Sequence, residues 1–169
     1  MLGSYANFPK NTHNIAGFST SISSKRLQKA LTQILLILNS ETLRLEEIAS
    51  PSVPNCTVVF EFGIAEDNDF NYLDAQEKDR LLKAIGKKTF PVMDFLSVIR
   101  YYRGEEEKKT PLRFDYYMLR FTFDKNFIEI RVFHERGPMH ASPEELIEFV
   151  TGKINSAFHK KALKLLEFS

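Results

Sequence analysis

From Leu112 to Arg136 apolar and polar side chains alternate with a period of two on both sides of a short polar break. Such a pattern predicts one long β-hairpin and assigns every side chain in it to a face. The arms, Arg113 to Phe123 and Phe127 to Phe133, are rich in aromatic and branched residues, and Asp124, Lys125 and Asn126 are turn formers. A two-residue turn at Lys125 and Asn126, or a four-residue loop from Asp124 to Phe127, gives the same register. Phe123 then faces Ile128, Phe121 faces Ile130 and Leu119 faces Val132, and this is the expected core face.

The opposite face carries Thr122 beside Glu129, Arg120 beside Arg131, Met118 beside Phe133 and Tyr116 beside Glu135. Like charges directly opposite one another are unfavourable unless an acid or an anionic ligand lies between them. Three expectations follow. Glu129 bridges both arginines; or Arg120 and Arg131, with Arg100, Tyr116 and Phe133, form a surface for an anion or for stacked bases; or a helix covers this face and makes it a second core layer.

At 169 residues, with 43% hydrophobic and 27% charged side chains, the chain is expected to form one domain with a substantial core. A net charge of +1 supplies no global field toward nucleic acid or an anionic membrane, so any such role must come from a local patch. The single Cys56 leaves no internal disulfide and no thiolate metal cluster, and fits a reducing, cytoplasmic setting. No secretory apolar region opens the chain, and Ile34 to Leu38 is too short to span a bilayer, so no membrane partner is expected.

Residues 1–20 read as an N-terminal arm broken by Gly3, Pro9 and several asparagines, with Tyr5, Phe8 and Phe18 as spaced anchors. Residues 21–169 read as a single α+β domain. Ser23 or Ser24 caps a helix to about Asn39 whose broad apolar stripe, widened by Leu36 and Ile37, suggests cover on more than one side. A weak alternation near Leu43, a strand over Thr57 to Ala65 and an acidic connection from Glu66 to Asp69 follow. Leu73 to Ile85 is the second helix, with Gly86 just past its end. Pro91 to Arg103 fits helix or strand; a strand completes a meander with the hairpin, its charged loop a solvated tip. Ser142 and Glu145 form a capping box with Pro143 at the first helical position, and an apolar stripe continues from Ile147 to Leu165. The expected fold is therefore α+β: a mostly antiparallel β-sheet of four to five strands, with long N- and C-terminal helices packed on one face.

Asp115, Glu129 and Arg131 loosely resemble the PD-(D/E)xK nuclease pattern, which would imply Mg²⁺ held by the carboxylates. The chain departs from it in lacking proline before Asp115 and in having Arg131 where lysine is usual, and the register puts the two acids on opposite faces. That register instead sets Asp115 opposite Arg136 and Tyr117 opposite His134, a polar cluster expected to close the open end of the hairpin. His134, Glu135 and His140 flank a Gly-Pro turn without the spacing of a zinc site, although either histidine could serve as a general base beside an anion. No calcium-loop, phosphate-loop or nucleophile motif is present, so no catalytic residue, metal or cofactor is assigned. The expectation is a non-catalytic binding or assembly module acting through protein–protein contacts or self-association. The alternatives are nucleic-acid binding through the arginine face and the lysines of the last helix, and a metal-dependent nuclease-like or phosphate-handling enzyme.

Overall fold

The computed structural model describes residues 2–10, 14–50, 56–103 and 113–168. In chain order these form β1 (Gly3–Ser4), β2 (Asn14–Ser19), α1 (Ser24–Leu38), β3 (Thr42–Arg44), a 3-10 turn (Leu45–Glu47), β4 (Cys56–Glu66), β5 (Asp69–Tyr72), α2 (Ala75–Lys87), β6 (Val92–Arg103), β7 (Arg113–Asp124), β8 (Phe127–Arg136), α3 (Pro143–Ser156) and β9 (Lys164–Phe168). The expected loop prolines Pro51 and Pro54, the charged tip from Glu105 to Lys109, and Leu112 lie outside the described residues.

The hairpin forms in the expected register. Phe123 pairs with Ile128, Phe121 with Ile130, Leu119 with Val132, and Arg120 with Arg131. Of the segment from Pro91 to Arg103, Val92–Arg103 is strand, as favoured from the sequence, pairing with β4 on one side and β7 on the other. The inward rows are almost wholly apolar: Val58, Phe60, Phe62 and Ile64 of β4, Met93, Phe95 and Ile99 of β6, Leu119 and Phe121 of β7, and Ile128, Ile130 and Val132 of β8 are all buried. α1 packs across β4, α3 across β8 and β2, and α2 against α1, so the helices share this one face and close the main core. Ser23 caps α1 and the Ser142–Glu145 capping box starts α3, as their sequences require.

The expectation of four to five strands with long terminal helices is overturned. The described residues build nine antiparallel strands in the order β1-β5-β4-β6-β7-β8-β2-β9, with β3 beside β4, and helices of only 15, 13 and 14 residues. Three local causes account for the difference. The apolar stripe read through to Leu165 breaks at Ser156, where Asn155 turns back to hold the backbone of Leu163 through both its amide groups, and Lys164–Phe168 becomes a strand. Asn14–Ser19, read as part of an arm, lies between β8 and β9 and buries Ala16 and Phe18 in the core. The tract read as an acidic connection is the tip of a tight hairpin, with Asp67 at φ 56° and Asp69–Tyr72 returning along β4. Gly86 lies within α2 rather than beyond it.

One further shift matters for the site. Between Tyr116 and Tyr117 the register slips, so that Tyr117 pairs with His134 and Tyr116 with Arg136, leaving Glu135 as the extra residue of a β-bulge. The expected pairings of Tyr116 with Glu135 and of Asp115 with Arg136 are replaced, and Arg136, the last residue of β8, has changed face.

Candidate functional site

The sheet face away from the helices collects the arginines and aromatics singled out from the sequence. Arg100, Arg120 and Arg131 project there, each half-exposed and each next to an acid. Arg120 grips Asp94 with two parallel bonds of 2.8 and 2.9 Å, Arg131 donates to Glu129 at 2.6 Å, and Arg100 pairs with Glu61. The opposed arginines are thus relieved by two different acids, Asp94 from β6 and Glu129 from β8, rather than by one shared glutamate. Aromatic rings complete the pattern: Arg100 lies over Phe114 at 5.8 Å, Arg120 under Phe8 at 4.8 Å, and Arg136, delivered by the bulge, over Tyr116 at 4.0 Å. Phe133 is half-buried opposite Met118.

Part of this face is roofed by the first residues of the chain. Tyr5 donates its hydroxyl to Asp94 at 2.5 Å, and its phenol is pushed up to about 12, first by burial and then by the bond to that carboxylate. The same carboxylate raises Arg120 above the usual guanidinium range. Phe70, Leu96 and Val98 are buried beneath Leu2 and Tyr5 and form a second apolar cluster, separate from the main core.

The polar cluster at the hairpin's end does assemble, on the helix side and with other partners than expected. Asp115 is fully buried. Its Oδ1 accepts from His134 Nε2 at 2.8 Å and the Met139 amide at 2.7 Å, and its Oδ2 from the Tyr101 hydroxyl at 2.6 Å and the His140 amide at 3.0 Å. Tyr117 donates to the Ala141 carbonyl, and the His140 ring stands edge-on to Tyr101 at 4.9 Å. Arg136 is not part of the cluster, because the bulge turns it to the other face. Burial holds the Tyr101 and Tyr117 phenols well above the ordinary tyrosine range. This arrangement fastens the loop after β8 to the sheet. Four donors saturate the carboxylate, so it offers no free lone pair to a substrate.

Asp115 and Glu129 lie on opposite faces of the sheet, as the alternation required, and do not share a site. Among the described residues, no three His, Cys, Asp or Glu side chains are grouped in a way that could hold a metal. Cys56 is buried, which pushes its thiol up and keeps it a poor nucleophile. Lys153 lies over Phe149 at 5.5 Å, while Lys160, Lys161 and Lys164 are exposed where the chain leaves α3 and enters β9.

Sequence reasoning missed the edge strand β9, Asp94 as the partner of Arg120, and the backbone amides that hold Asp115. The alternating apolar pair Leu163 and Leu165 after a basic turn was the available signal for β9; the other two depend on which strands neighbour which. No helix of the described residues is long and apolar enough to cross a membrane. No protein-family model matches the chain, and no match is found among curated proteins or solved structures.

Proposed function

We propose that the protein is a non-catalytic binding module that takes an extended, acidic segment of a partner protein along the edge of its sheet at β9. The observation that carries this reading is the edge itself. Among the described residues β9 pairs only with β2, and its Leu165 and Leu166 are 49% and 60% exposed. A strand edge presents backbone donors and acceptors in a row, and an added strand gains its affinity from those bonds and its specificity from alternate side chains.

The surroundings favour one kind of occupant. A depression of about 220 Å³ lies beside the edge, with Phe18, Leu163 and Leu165 as its apolar wall and Glu148 and Lys161 among its other lining residues, and it has room for one side chain of the incoming strand. The exposed Lys160, Lys161 and Lys164 put positive charge at the start of the edge strand and favour an acidic residue at that end of the incoming segment. The register shift at Leu166 and the lysines guard the edge against indiscriminate pairing. The arginine face supports nucleic-acid binding less well, since Arg100, Arg120 and Arg131 are each matched by a carboxylate that a phosphate would have to displace. The single buried thiol suits a cytoplasmic setting.

The test is fluorescence anisotropy with a labelled peptide of alternating leucine and glutamate. Leu165→Glu with Leu166→Glu should weaken binding roughly tenfold or more, since a charge replaces each exposed apolar contact and repels the acidic strand. Equal binding by this variant, or no binding by the wild type, would sink the reading. Light scattering on the protein alone separates the other occupant: a dimer lost in the same variant would assign the edge to a second copy of the chain.

A further inference from the structure

We infer that the open sheet face under residues 2–10 is a second protein-binding groove, distinct from the β9 edge, that recognises an extended segment carrying an aliphatic residue and, three positions later, a tyrosine. The chain's own N-terminal strap is its resident occupant and displays the recognition chemistry.

Each part of the groove answers a feature of the strap. The backbone joins β5 antiparallel, with the Leu2 amide donating to the Phe70 carbonyl and the Tyr5 amide to the Asn68 carbonyl, both at 2.7 Å. Gly63 makes a socket for the aliphatic residue: a Cβ there would lie 2.9 Å from Leu2 Cδ2. Three positions on, Tyr5 lays its ring against Phe70 at 4.8 Å and delivers its hydroxyl to Asp94, which Arg120 fixes with two bonds. Phe8 then covers the outer face of the Arg120 guanidinium. A phosphorylated tyrosine would bring its charge against the Asp94 carboxylate, so the groove is selective for the free phenol.

The floor and its cover differ in how firmly they are held. Leu96 and Val98 of the floor belong to β6, a central strand paired on both sides, and the strap itself completes the burial of these two and Phe70. The strap has a two-residue strand, exposed Ser4, Ala6 and Asn7, and only half-buried Leu2, Tyr5 and Phe8. An apolar floor with a lightly held cover favours exchange of the cover for a better-fitting segment, and an intramolecular occupant scales the apparent affinity of any competitor by the fraction of time the groove stands vacant.

The experiment uses full-length protein and a labelled peptide with the sequence of residues 1–10. Tyr5→Ala loosens the resident strap and should raise affinity for the peptide roughly tenfold over wild type, by vacating the groove. Replacing the peptide's own tyrosine by phenylalanine should cost about tenfold, the worth of one hydrogen bond to a charged group at the lower end. Asp94→Ala combined with Tyr5→Ala, which leaves no acceptor at that position, should remove that dependence on the hydroxyl. Leu165→Glu with Leu166→Glu should leave peptide binding unchanged, which separates this groove from the β9 edge. Should Tyr5→Ala fail to fold, Tyr5→Phe vacates only the hydroxyl site and should still raise affinity. No gain in a folded strap variant, judged by circular dichroism, overturns the inference.

Discussion

Replacing Asp115 by asparagine keeps the size of the side chain and removes its charge, and the geometry fixes what is lost. One carbonyl oxygen remains and can keep two of the four donors, the His134 ring and the Met139 amide. The new amide nitrogen then faces the Tyr101 hydroxyl and the His140 amide. Tyr101 can rotate its proton away and accept. The His140 N–H cannot, and is left opposite another donor in a fully buried place. Losing a hydrogen bond to a charged group and stranding a buried amide together should destabilise the protein by about 3 kcal/mol. Tyr101→Phe, which removes one donor and leaves the carboxylate with three, should cost about 1.5 kcal/mol. Urea unfolding followed by far-UV circular dichroism reads both as shifts in midpoint at unchanged slope. Because the two groups share one bond, the double variant should cost less than the sum. A loss of less than about 0.5 kcal/mol for Asp115→Asn, the level of an ordinary surface change, would refute the claim that this carboxylate fastens the loop after β8.

The same loop supplies a second prediction: Gly137 has φ 114°, and a Cβ there would collide with Asp115 Oδ1 and the Phe114 carbonyl, so Gly137→Ala should lower stability by about 2 kcal/mol or more in the same assay. Gly152 of α3 is the opposite case, since a Cβ there meets nothing within 4 Å, and Gly152→Ala should raise stability by about 0.5–1 kcal/mol. Alkali should loosen the strap. The folded Tyr5 phenol sits at about 12 against 10.0 for the free group, so the unfolded chain releases a proton that the folded chain retains, and stability falls as pH rises between those values. Phenolate absorbance of wild type minus Tyr5→Phe should titrate near the upper value; a midpoint at the lower one would deny the Asp94 contact.

Much of this architecture is legible in the order of residues alone because its causes are local. Strict alternation from Arg113 to Phe133 decided the register of the central hairpin, since a one-residue slip would turn every core side chain to the other face. Ser23, Ser142 and Glu145 marked two helix starts because caps act within one turn. The opposed Arg120 and Arg131 could be placed for the same reason, and the separation of Asp115 from Glu129 followed from it.

What only the tertiary structure decided involves partners far apart in the chain. Short segments such as Asn14–Ser19 and Lys164–Phe168 are weak strands by themselves and become strands because β8 and then β2 present an unpaired edge. Among the described residues the sheet therefore reaches nine strands where local patterns supported four or five. The partners of charged groups are settled the same way: Asp94 reaches Arg120 across a strand pair and Tyr5 reaches Asp94 across 89 residues of sequence. The Glu135 bulge sends Arg136 to the open face and leaves Asp115 to backbone amides of the next loop. A bulge and a long-range ion pair depend on which surfaces meet after folding, and no periodicity within either segment encodes that meeting.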